Sequence, residues 1–152
     1  MNERYLFRGK RKDNGAWETG FLVITRYDCS DEKYFIAEKM TGYHTPVIPE
    51  TVGQCTGLKD KNGKLIFEGD IIRTQPFSDR PYSSKAKYKQ HIGVVEYRVR
   101  HFKNSLYEQD YKAEWIVNIK DYGKFTCYDW SEFFKCEVIG NIHDNDLSEV
   151  ER

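Results

Sequence analysis

Long apolar runs are missing from this chain: none is longer than that of Phe21 to Ile24, far short of the roughly 20 residues that cross a bilayer as a helix. No membrane partner is expected. The N-terminus, Met1 to Arg8, sets a charge on each side of a short apolar stretch and has no signal-peptide core, so the expected location is the cytoplasm. An excess of one charge is missing too. Lysine plus arginine and aspartate plus glutamate number 24 each, and no overall field draws the chain to nucleic acid or an anionic membrane. Cys29, Cys55, Cys127 and Cys136 form no Cys-x-x-Cys pair, and in a reducing compartment free thiols are the expectation.

Catalytic and metal signatures are equally scarce. His44, His91, His101 and His143 never fall at a spacing that sets two ligands on one helix face. The best cluster, Cys127, Cys136, His143 and Asp144, lacks the close ligand pair of closed zinc sites. Neither Cys55 nor Cys127 sits in a nucleophile context. Gly53, Gly57 and Gly63 lack the Gly-Lys-Ser/Thr ending of a phosphate loop. The acidic group Asp28, Asp31 and Glu32 lacks the glycine and closing glutamate of a calcium loop. No metal, no cofactor and no enzymatic activity are expected.

Aromatic residues, by contrast, are plentiful: eleven Tyr, nine Phe and three Trp make 15% of 152 residues. Aromatic side chains bury the most area per residue, and a chain of this length carries a core without disulfide staples. One domain is therefore expected. Turn chemistry is clearer than helix periodicity. Asn14-Gly15 and Asn62-Gly63 predict tight two-residue hairpins, because Asn and Gly tolerate the positive φ of primed turns. The first joins 4–10 to 17–25, and the second joins 52–58 to 65–67 before a bend at Glu68-Gly69-Asp70, with Asp70 capping the bend. The similarity of 12–20 to 60–69 is what two hairpins needing the same turn residues would give.

Tyr34 to Glu38 reads as a short strand and Thr41 to Pro46, with Pro49, as a proline-constrained loop. Gln75 to Gln90, with two prolines, three serines and four basic residues, reads as a long exposed loop. In 92–102, Val95, Tyr97 and Val99 alternate with Glu96, Arg98 and Arg100, the period of a half-buried strand with the apolar set inward. Alternation continues at Trp115, Val117 and Ile119; Asp121 to Lys124 predicts a turn into 125–128, a third hairpin. Asp129 to Phe134 predicts a helical turn, 136–142 a closing strand, and 146–152 a frayed acidic tail.

The stretch Thr51-Val-Gly-Gln-Cys-Thr-Gly-Leu-Lys-Asp-Lys-Asn-Gly-Lys-Leu-Ile-Phe-Glu-Gly-Asp-Ile-Ile-Arg73 resembles the central signature of the YopX family. Tyr5 to Arg11 and Glu137 to Asn145 resemble the ends of that pattern, whereas Gln75 to Lys112 departs from it. The resemblance implies a phage or prophage protein with a mainly β fold: a small SH3-like barrel over 51–145, preceded by an N-terminal hairpin region over 1–50. It carries over no catalytic residue. The barrel also fits the residues, since the glycine bend and then Gly93 to Tyr97 supply a bend and a coiled strand.

Charge is unevenly spread. Arg73 to Lys103 holds eight Lys or Arg against Asp79 and Glu96, while Asp129 to Arg152 holds seven acids against Lys135 and Arg152. Such bipolarity favours self-association. Lys85, Lys87, Tyr88, Lys89, Arg98 and Arg100 interleave cations with aromatics, as nucleic-acid grooves do; a solvated loop beside a strand with inward tyrosines is the favoured reading, since the net charge is zero and no known reader motif is present. The leading expectation is a noncatalytic protein-interaction module that forms a homo-oligomer and touches a host or phage protein through its barrel and the 75–91 loop. Nucleic-acid binding through 85–103 is the alternative.

Overall fold

In the computed structural model, which describes residues 3–27, 31–38, 40–76, 78, 82–103, 109–119 and 135–144, both Asn-Gly glycines take left-handed backbone, Gly15 at φ 71° and Gly63 at φ 80°. The turns are wider than the two-residue kind. Strand β1 (Phe7–Lys10) and β2 (Trp17–Tyr27) pair last at Lys10 and Trp17; beyond them the Arg11 N–H donates to the Ala16 carbonyl. The Asn14 side chain accepts from the Ala16 N–H at 2.9 Å, and Asp13 binds the Arg11 guanidinium at 2.7 Å. Local acceptors of this kind stabilise a broader turn in place of a primed one.

The first sheet has the order β4-β3-β2-β1-β5-β6, with β3 Asp31–Ala37, β4 His44–Pro46, β5 Gly53–Lys59 and β6 Leu65–Phe67. β3 starts before the predicted strand, and β4 occupies part of the predicted loop. Proline is admitted there because β4 is an outer strand, where a missing N–H costs no ladder bond; the Pro46 carbonyl accepts from the Lys12 N–H at 3.1 Å. Leu6, Cys55 and Phe67 form a buried cluster against Phe21 and Leu65. Arg8 is buried with its guanidinium 4.6 Å from the Trp17 ring centre and 4.7 Å from that of Phe67. Gly20 is a place of close approach: a Cβ there would lie 2.1 Å from the Ala37 carbonyl oxygen. Because that obstacle is backbone, Gly20→Ala must separate β2 from β3, and we expect a loss of about 1–3 kcal/mol, read as a lower urea midpoint.

The second sheet has the order β10-β7-β8-β9, with β7 Asp70–Arg73, β8 Ile92–Lys103, β9 Gln109–Asn118 and β10 Glu137–Asn141. The chain divides into two compact units, Met1–Gly57 with Leu65–Phe67, and Leu58–Lys64 with Glu68–Arg152. The bend before β7 forms as expected, with Gly69 at φ 79°. Asp70 is buried, and its carboxylate accepts from the Asn141 amide of β10 at 3.4 Å.

The fold is mainly β, in two antiparallel sheets, but no closed barrel forms among the described residues: β10 and β9 remain the outer strands of the second sheet. A bulge between Val138 and Gly140 shifts the β10 register. The inward set predicted on β8 is also corrected. Val95 is fully buried, whereas Tyr97 is 50% and Val99 52% exposed. Along β8, β7 pairs only with Ile92, Gly93 and Val94, while β8 and β9 stay paired out to Lys103 and Gln109. The outer half of β8 thus leaves β7 behind. The third hairpin, the helical turn at 129–134 and the tail at 146–152 lie outside the described residues.

Candidate functional site

The tip of the signature hairpin is organised by one buried carboxylate. The Asp60 N–H donates to the Lys64 carbonyl, and Gly63 donates back to the Asp60 carbonyl, leaving Lys61, Asn62 and Gly63 as a three-residue loop that ends on a left-handed glycine. Asp60 Oδ1 accepts from the N–H groups of Asn62 at 2.8 Å and Lys64 at 2.9 Å. Oδ2 accepts from the Val138 N–H of β10 at 3.0 Å. The Lys61 N–H donates to the Cys136 carbonyl, and Lys61 Nζ meets the Glu137 carboxylate at 2.8 Å. Burial pushes the Asp60 carboxyl upward, but the donors from Val138, Lys64 and Asn62 outweigh it and hold the carboxyl below the ordinary aspartate value. Both carboxylate oxygens are held by backbone N–H groups of this chain, which is the chemistry of a structural latch.

Two surfaces of the second unit are open. One is the ribbon of β8 and β9, in which Val95 faces Val117, Tyr97 faces Trp115 and Val99 faces Ala113. Opposed residues of an antiparallel pair share a face, so these six form one apolar row. It begins in the core at Val95 and Val117 and runs out to Tyr97, Val99 and Ala113, all exposed. The Tyr97 ring sits edge-on to Trp115, centres 5.0 Å apart. The other face carries Glu96, which accepts from the Asn118 amide at 3.0 Å, and Arg98 opposite the buried Glu114.

The second surface is the segment 82–90. At its base Thr74 and His91, both buried, hold one another: the Thr74 N–H donates to the His91 carbonyl, and the His91 N–H to the Thr74 hydroxyl at 3.0 Å. Further out Ser83 makes a turn, its carbonyl accepting from Ala86 and its hydroxyl from the Lys85 N–H. Lys85, Lys87, Tyr88 and Lys89 are all exposed. Tyr82 is fully exposed as well. Of the six residues singled out by sequence, four therefore share this segment. Arg98 is half-buried on the ribbon, and Arg100 keeps its place on β8 opposite Lys112, its side chain outside the described ones.

The remaining candidates resolve into structure. Cys55 and Cys136 are buried free thiols, and Cys29 and Cys127 lie outside the described residues. Among the described residues no group of three His, Cys, Asp or Glu could hold a metal, and no helix is long and apolar enough to cross a membrane. Gly57, at φ 81°, packs on the Arg4 side chain. Glu32 is bound by Arg26 and by the Tyr34 hydroxyl, whose hydrogen bonds hold it below the usual carboxylate range; Asp28 lies outside the described residues.

The ribbon's exposed row was hidden in the sequence, because alternation marks a face without saying what covers it. A family model described as YopX protein matches residues 6–147. No curated protein matches the sequence.

Proposed function

The chain belongs to the YopX family, and on that premise we propose that it is a noncatalytic interaction module of a phage or prophage that associates with a second copy of itself through the β8–β9 ribbon. The observation that carries this reading is the apolar row running from the buried Val95 and Val117 to the exposed Tyr97, Val99 and Ala113. Exposed apolar surface continuous with a core marks a contact surface. The row alternates size, with Val99 beside the small Ala113, so a two-fold copy can set its own valine over the alanine. Such an interface is isologous, as in most dimers. On this reading the second sheet is an open relative of the SH3-like barrel, and the contact belongs to its ribbon. The burial of Cys55, Cys136 and His91 supports a noncatalytic role.

Ten paired positions at about 3.4 Å each give a ribbon roughly 34 Å long and 10 Å wide. That face is below the ~800 Å² per partner of standard interfaces, which places the dimer in the weak, transient class. Sedimentation velocity over a concentration series tests it. The weight-average coefficient should rise with concentration toward a dimer, and Val99→Lys should abolish the rise with an unchanged far-UV spectrum. A wild-type protein that stays monomeric at millimolar concentration overturns the proposal.

A further inference from the structure

We infer that segment 82–90 is a binding site for single-stranded nucleic acid, in which Tyr82 and Tyr88 stack on bases and Lys85, Lys87 and Lys89 contact phosphates. This site is separate from the apolar row of the ribbon and rests on different residues.

Exposure comes first. Tyr82 is fully exposed and Tyr88 60% exposed, so both rings present surface to solvent. The charge is local: 82–91 contains three lysines and no acid, and all three lysines are exposed. Screening confines electrostatic attraction to about 8 Å at physiological salt, so a polyanion at this segment responds to these lysines far more than to the zero net charge of the chain. Placement is the third point. The Thr74–His91 pair fixes the base of the segment and the Ser83 turn shapes its outer part, which lowers the ordering cost of binding.

Single strands are the chemical match. Stacking on an exposed tyrosine needs an unstacked base, which a duplex does not offer. A loop of this kind also brings no helix or two-stranded element to the major groove, the usual means of reading a duplex. Every base has a π face, so stacking of this kind tolerates sequence. The site therefore takes DNA or RNA strands with little base preference.

Fluorescence anisotropy on 5′-labelled dT20, U20 and a 20-bp duplex, at 50 and 200 mM NaCl, tests the inference. Three phosphate contacts on a single strand give a log–log salt slope of about −2. The affinity for dT20 and U20 should therefore fall roughly 20-fold between the two conditions. Tyr82→Ala with Tyr88→Ala should weaken binding at least about fivefold while leaving the slope unchanged. Lys85→Ala, Lys87→Ala and Lys89→Ala together should flatten the slope by about 2. These side chains are exposed, so an unchanged far-UV spectrum is expected for each variant. No binding of either strand at 50 mM salt would overturn the inference. So would equal binding of duplex and single strands that ignores the tyrosine variants, because that is counterion attraction without stacking.

Discussion

Asp60→Ala is expected to lower stability by about 3–5 kcal/mol, since it orphans three backbone donors at once and hydrogen bonds to a charged group contribute about 1.5–3 kcal/mol each. The donors are the N–H groups of Asn62, Lys64 and Val138, and the last is on β10. In a chain of this size each kcal/mol moves the melting temperature by about 2–4 °C, so a thermal scan should show a drop of about 10 °C. Asp60→Asn separates charge from shape. Its amide keeps one acceptor, but whichever edge holds the NH2 faces a donor, so it should recover only part of the loss.

The same carboxylate gives the protein an acid limb. The Asp60 carboxyl lies below its ordinary value in the folded state, so the folded protein binds its proton less readily than the unfolded chain. Its contribution is therefore complete above the unfolded value near 3.9 and is lost as pH falls through the folded value. Urea midpoints measured from pH 6 downward should fall more steeply for the wild type than for Asp60→Asn. Parallel curves would show that Asp60 is not the group responsible.

The second large effect is expected at Arg8, whose guanidinium lies between the rings of Trp17 and Phe67. Desolvated cation–π contacts contribute about 2 kcal/mol or more, and Arg8→Ala also leaves an unfilled volume between two rings. A loss of roughly 3–4 kcal/mol follows by the cost of core truncation. Arg8→Lys is the sharper variant, because it keeps the charge and loses the plane that stacks on both faces. It should retain less than half of the stability that Arg8→Ala removes, as measured by denaturant titration; full rescue by lysine would mean that charge, and not stacking, holds the pair of rings.

Much of the fold was legible because turn chemistry is local. Gly15, Gly63 and Gly69 stand where the chain reverses or bends, and β6 and β7 occupy the runs that flank the Glu68-Gly69-Asp70 bend. What escaped was long-range. Asp60 reads as an ordinary turn aspartate, yet one of its acceptors serves an N–H 78 positions away. β4 escaped because proline reads as a breaker until the strand is known to be an outer one. The reach of β9 back to Gln109 escaped because its alternation is weak before Trp115. The basic, tyrosine-bearing segment was legible by composition alone. The apolar row was misread, since period-2 alternation placed Tyr97 and Val99 with Val95 correctly on one face, while β7, which starts only at Asp70, pairs with β8 no further than Val94.

The central claim is a division of labour: the signature hairpin maintains the fold through Asp60, and association belongs to the ribbon that follows it. Sedimentation equilibrium on folded Asp60→Asn and on Tyr97→Lys with Val99→Lys, at a temperature below both melting transitions, tests that division most directly. Asp60→Asn should dimerise as the wild type does, and the ribbon variant should be a monomer. Loss of association in Asp60→Asn, or its survival in the ribbon variant, would contradict the account.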